Sequence, residues 1–147
     1  VSRTSSLRDQ HDWLLALARD ISDAGTGLAG LLDAERLYRL LRQFDAILTE
    51  HLASEDRSLY PDMLASSDRR TAALASRFCE EMGGLTKDYA VFAARWSSAQ
   101  ALLDAPDAFQ RDWTDLQGSL AFRIQRENAE LYPLADAADG APDRKTG

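Results

Sequence analysis

Large apolar residues recur at steps of three and four along nearly the whole chain, and no stretch alternates as a half-buried strand would. The pattern predicts helices throughout. The first follows a Ser5 or Ser6 cap and runs to about Asp23, with the stripe Leu7, His11, Leu14, Ala18, Ile21. Glycines from Gly25 to Gly30 mark a loop, and Asp33 is placed to cap a second helix. Its stripe is Leu37, Leu41, Phe44, Leu48, His51, Glu55, Leu59, and Pro61 should end or kink it. A turn over 64–69 leads to a third helix with the stripe Leu74, Phe78, Met82, Leu85, Tyr89, Phe92, Trp96. Gly83 and Gly84 inside it cost roughly 1 kcal/mol each relative to alanine, which predicts a kink or a close neighbouring backbone. Ala105-Pro106-Asp107 breaks the chain before a fourth helix carrying Phe109, Trp113, Leu116, Leu120, Arg123, Glu127 and Leu131.

Four amphipathic helices joined by short loops predict an all-α fold, an up-down-up-down four-helix bundle over residues 1–136. The pattern fades from about Ala137, so residues 137–147 are expected to form a flexible tail. A chain of 147 residues with 45% hydrophobic and 28% charged positions has the composition of one soluble globular domain. The net charge of −7 argues against nucleic-acid binding, and no apolar run is long enough to span a membrane. The polar start Val1-Ser2-Arg3-Thr4 lacks the apolar core of a signal peptide, and the single Cys79 fits a reducing compartment. The expected location is the cytoplasm.

The candidate chemistry lies on the apolar stripes themselves. His51 and Glu55, four residues apart, project from the buried face of the second helix. A buried, unpaired charge is very costly, so this pair needs a partner. Residues 123–133 repeat residues 51–61: Glu55 answers to Glu127, Leu59 to Leu131, Tyr60 to Tyr132 and Pro61 to Pro133. The second and fourth helices therefore read as copies, and the bundle as a doubled helical hairpin. His51 is answered by Arg123, and His11 by Met82, so the halves read His, His, Glu and Met, Arg, Glu. His11, His51, Glu55 and Glu127 are the ligand types of a helix-bundle metal site, whereas an arginine is always cationic and pairs with carboxylates.

His11, the His51-x-x-x-Glu55 element with Leu59-Tyr60-Pro61, and Glu127 with Leu131-Tyr132-Pro133 resemble the hemerythrin-like, or HHE cation-binding, family. The resemblance runs from about residue 7 to residue 135. It implies a non-haem di-iron centre bridged by two carboxylates and otherwise held by histidines, with roles in oxygen binding, redox or gas response, or iron handling. On that comparison His11 and His51 match the histidines of one iron, and Glu55 and Glu127 match the bridging carboxylates. The second iron lacks its histidines. Arg123 stands at one such position, and Phe78 and Met82 offer packing where ligands are expected.

A standard di-iron oxygen carrier is therefore not expected. The first reading is a metal-free polar centre in which Arg123 bridges Glu55 and Glu127, within a regulatory or sensory module that meets a protein partner in signalling or stress response. The alternative is one divalent ion, iron, zinc or manganese, held by His11, His51, Glu55 and Glu127 in a sensor of redox state or small gases. A metal-dependent oxidoreductase is a third reading. Glu80 and Glu81 read as a solvated face, Tyr60 and Tyr132 as packing at the helix ends, and Cys79 as a small buried side chain. No nucleophile stands with a base at motif spacing, and no phosphate loop is present.

Overall fold

The structure is a computed structural model that describes residues 3–140. Among the described residues it is all helical, with α1 (Ser5–Gly25), α2 (Leu31–Ser54), α3 (Tyr60–Leu64), α4 (Arg69–Met82), α5 (Gly84–Arg95), α6 (Ala99–Asp104), α7 (Pro106–Arg126) and α8 (Tyr132–Gly140). α1 packs on α2 and α7, α5 on α7, α3 on α4, and α6 against α2. None of these helices is long and apolar enough to cross a membrane. The expected tail begins inside α8, which continues to Gly140, and 141–147 lie outside the described residues.

Local chemistry moves several predicted boundaries. α1 starts one residue early, with Thr4 rather than a serine at its N-cap. The Thr4 hydroxyl donates instead to Asp136 Oδ2 at 2.8 Å, tying the start of α1 to α8. Asp33 sits inside the first turn of α2, which Gly30 precedes, and its Oδ2 accepts from the Ala29 N–H at 2.9 Å. The third predicted helix divides at Gly83, where an added Cβ would stand 2.7 Å from the Cys79 carbonyl oxygen of the preceding turn. The close backbone at Gly83 is thus that of its own preceding turn, whereas a Cβ at Gly84 would meet nothing. α6, absent from the sequence reading, is capped by Ser98 Oγ, which accepts from the Ala101 N–H at 3.1 Å, and it buries Leu102 completely.

The two prolines do not end their helices; they widen them. Proline has no N–H, and its ring collides with the carbonyl four residues earlier. The chain answers at both copies with a π-helical segment, Glu55–Leu59 and Glu127–Leu131. In these, Tyr60 N–H bonds to the Glu55 carbonyl and Tyr132 N–H to the Glu127 carbonyl, five residues back. Helix then resumes as α3 and α8. A π-turn brings residues i and i+5 to one face, which has a direct consequence for the site.

Buried apolar side chains form two clusters. The larger holds Leu14, Phe44, Leu48, Phe92, Phe109, Trp113 and Leu120, and the smaller Leu7, Leu59, Tyr60, Phe78, Met82, Leu131 and Tyr132. Along three helical runs the polar stripe positions fall between members of the two: His11 between Leu7 and Leu14, Glu55 between Leu52 and Leu59, Glu127 between Ile124 and Leu131.

Candidate metal centre

Five ionisable side chains meet in this gap, none more than 5% exposed: His11 from α1, His51 from α2, Arg123 from α7, and Glu55 and Glu127 from the first residues of the π-helical segments. His11 Nε2 and His51 Nε2 approach to 3.1 Å. Glu127 Oε1 lies 3.1 Å from His11 Nε2, and Glu55 Oε1 lies 3.2 Å from His51 Nε2. One nitrogen or oxygen from each of the four residues falls within 4.8 Å of all the others. Donors bound at about 2.0–2.2 Å to a common ion stand roughly 3 to 3.5 Å apart, a range that the three closest of these contacts meet.

The outer partners decide which imidazole nitrogens carry protons. His11 Nδ1 meets Asn128 Oδ1 at 2.8 Å, and His51 Nδ1 meets Gln10 Oε1 at 2.8 Å. An amide oxygen only accepts, so each Nδ1 donates to it and each Nε2 points to the centre, where it donates to a carboxylate when protonated and offers a lone pair when neutral. Such outer-shell bonds orient the histidines of metal sites. Gln10 and Asn128 sit one position off the predicted stripes, and periodicity alone does not single them out.

Arg123 reaches both carboxylates, sharing Glu55 Oε1 with His51 and taking the Oε2 oxygen of Glu127. Its Nη2 donates to Glu55 Oε1 at 3.0 Å and its Nε to Glu127 Oε2 at 3.3 Å. This is the carboxylate bridge expected of it. Phe78 and Met82 are buried in the smaller cluster and contribute packing. Arg123, Tyr60, Phe78 and Met82 line a cavity of about 280 Å³ that also includes Asp56 and Cys79.

The tyrosines are where the sequence reading fails. Tyr60 and Tyr132 are not helix-end packing alone, because the π-turns rotate both onto the face of their own glutamates. Each serves the carboxylate of the opposite repeat: Tyr60 Oη donates to Glu127 Oε2 at 2.9 Å, and Tyr132 Oη to Glu55 Oε2 at 2.8 Å. The available signal was the tyrosine at Glu+5 followed by proline in both copies. Cys79 also departs from expectation, since it is exposed. Glu81 pairs with Arg126 outside the centre, as a solvated position would.

Burial would lower the His51 pKa, but hydrogen bonds and charge from Glu127 and Glu55 outweigh it and raise it to about 9. Burial, and then the Glu127 charge, push Glu55 up to about 7. Burial opposes ionisation of Glu127 too, yet hydrogen bonds from His11 and His51 and the Arg123 charge hold it well below the usual carboxylate range. Burial and the two carboxylates drive both tyrosines upward, keeping them protonated.

A model of the hemerythrin HHE cation-binding domain matches residues 3–135. The chain belongs to the hemerythrin HHE cation-binding family. No curated protein and no solved structure matches it. Within the family's expected two-iron arrangement, the donor set of this hemerythrin-family chain fits one ion: two imidazole nitrogens and two carboxylates converge on one point. On the far side Arg123, Phe78 and Met82 line the cavity where the further ligands are expected, and none of these three side chains suits a hard second ion.

Proposed function

We propose that this hemerythrin-family chain binds a single divalent ion through His11, His51, Glu55 and Glu127, with Arg123 in place of a second ion. In this reading it works as a sensory or regulatory module rather than an oxygen carrier. The observation that carries the proposal is the pair of Nε2 atoms 3.1 Å apart, each with its Nδ1 committed to an amide oxygen. Two Nε2 atoms and two carboxylates then meet in a buried space, where a divalent ion can take the place of the imidazole protons shared with the carboxylates. Iron(II) or manganese would supply one-electron redox chemistry and affinity for small oxidants or gases, whereas zinc would supply charge alone. The protein's own groups set the charge: two carboxylates and one guanidinium leave −1, which a divalent ion turns to +1.

A second reading is favoured by Arg123 itself. Its fork across Glu55 and Glu127, with one proton on His51, also brings the centre to neutrality without an ion. The same proposal includes the finer architecture. The long runs α1, α2 with α3, α4 with α5, and α7 with α8 form an up-down-up-down bundle built from a doubled hairpin, which the packing of α1 on α2 and α7 and of α5 on α7 supports. A protein partner in the cytoplasm would read the centre's state, with exposed Val91 and Phe122 beside α5 and α7 as an available apolar surface.

The test is elemental analysis of protein purified without chelators, repeated after anaerobic iron(II), zinc or manganese loading. One ion per chain, lost in His51→Ala with the helical circular dichroism retained, supports the single-ion centre. No ion under any loading refutes it and leaves the Arg123 cluster. Turnover of an oxidant by the loaded protein would instead favour the oxidoreductase reading.

A further inference from the structure

The two repeated tyrosines are chemically unequal. Tyr60 Oη reaches Glu127 Oε2, the oxygen on the Arg123 side, and its ring faces the guanidinium at 6.0 Å. Tyr132 Oη stands among the converging donor atoms: 3.1 Å from His11 Nε2, 2.8 Å from Glu55 Oε2 and 3.5 Å from Glu127 Oε1. Its single proton goes to Glu55 Oε2, the shortest of these contacts. The oxygen therefore keeps its lone pairs for the centre, 3.1 Å from His11 Nε2, as a fifth member of the same inward-facing set. The side chain cannot swing away. Tyr132 is fully buried, its ring stacks on His11 at 5.1 Å with 16° between planes, and the Arg8 guanidinium lies 5.4 Å above it.

We propose that Tyr132 is a fifth ligand of the single ion, through its phenolic oxygen, and that Tyr60 is not a ligand. This rests on the single-ion reading. A phenolate is a hard, anionic donor, so it biases a site of two imidazoles and two carboxylates toward iron(III) over zinc. With the guanidinium, three anionic donors and iron(III), the formal charge sums to +1. The iron–oxygen bond forms from an oxygen lone pair as the phenolic O–H breaks, and the proton, held in the metal-free centre by the bond to Glu55 Oε2, is released to the buffer as the ion binds. Where iron(II) is loaded in air, dioxygen takes the electron that produces iron(III).

The experiment loads the full chain with iron(II), exposes it to air, and reads bound iron by elemental analysis beside visible absorption and resonance Raman. The expected result is an intense phenolate-to-iron(III) charge-transfer band with tyrosinate ring modes in the wild type and in Tyr60→Phe. Tyr132→Phe should lose both while keeping bound iron, since the phenyl ring still stacks on His11. Bound iron without the band in the wild type overturns the fifth ligand, as does a band that survives Tyr132→Phe or vanishes in Tyr60→Phe. Absence of bound iron in the wild type overturns the single-ion reading and the tyrosine ligand together, so the two failures are distinguished by the metal count. Should Tyr132→Phe fail to fold, the wild-type and Tyr60→Phe Raman spectra decide the question.

Discussion

Replacing Arg123 with methionine keeps much of the side-chain volume and removes the charge that faces two buried carboxylates. In the native centre its Nη2 and Nε each make one charge-assisted bond, at 3.0 Å to Glu55 and 3.3 Å to Glu127. Both glutamates are fully buried, so neither can recover a water partner. Breaking a buried ion pair from one side costs about 3–5 kcal/mol, because the surviving charge has lost its partner. For a domain of this size that corresponds to a fall in melting temperature of about 10 °C. The same change should strengthen cation binding, because a positive charge no longer competes for the carboxylates. At least about a tenfold gain in divalent-ion affinity is expected. Urea unfolding of chelator-treated wild type and R123M, followed by titration of each with zinc against a competing chelator, measures both effects. A stability loss under about 1 kcal/mol in the metal-free proteins would show that Arg123 is not what balances Glu55 and Glu127, and the electrostatic account would fail.

Three further outcomes follow from the same geometry. The raised His51 pKa of about 9 means that the folded, metal-free chain holds a proton which the unfolded chain releases near 6.5. That contribution, on the order of 3 kcal/mol, is fully present below pH 6.5 and is lost as pH rises through 9. Glu55, raised to about 7, acts in the same direction between its ordinary value of 4.5 and 7, so metal-free stability should fall from about pH 5 to pH 9. A flat profile in chemical denaturation, or an equal decline in His51→Gln, would contradict the assignment. Gln10→Leu or Asn128→Leu releases one imidazole from its orienting amide and should weaken metal binding about 10- to 100-fold; a chelator-competition Kd within twofold of wild type would remove both from the outer shell. Met82→His with Arg123→His restores imidazoles on the opposite side, where Asp56 lines the same cavity as Met82 and Arg123. The double variant should raise the metal content from one to two ions per chain by elemental analysis, and a count still at one would mean that more than these two residues closed the second position.

Periodicity by itself determined much of this protein. Steps of three and four placed Leu7, Leu14, Phe44, Leu48, Trp113 and Leu120 in the core, because a helix must bury one face whatever its neighbours are. The same stripes contained His11, His51, Glu55, Arg123 and Glu127, so that five buried ionisable groups had to meet was legible in the sequence. The internal repeat added the unequal halves, with Arg123 at the position that answers to His51. Tertiary structure decided the rest. On an α-helix a residue five positions on lies about 140° around from its starting point, so Tyr60 and Tyr132 read as off the site. Pro61 and Pro133 widen those turns and bring the two hydroxyls back onto it. Gln10 and Asn128 sit beside the stripes on their own helices and reach imidazoles on others, a relation that exists only once α1, α2 and the α7–α8 run pack together. Local patterning names which groups are buried together; the crossing of helices determines which of their donor and acceptor atoms come within reach of one another.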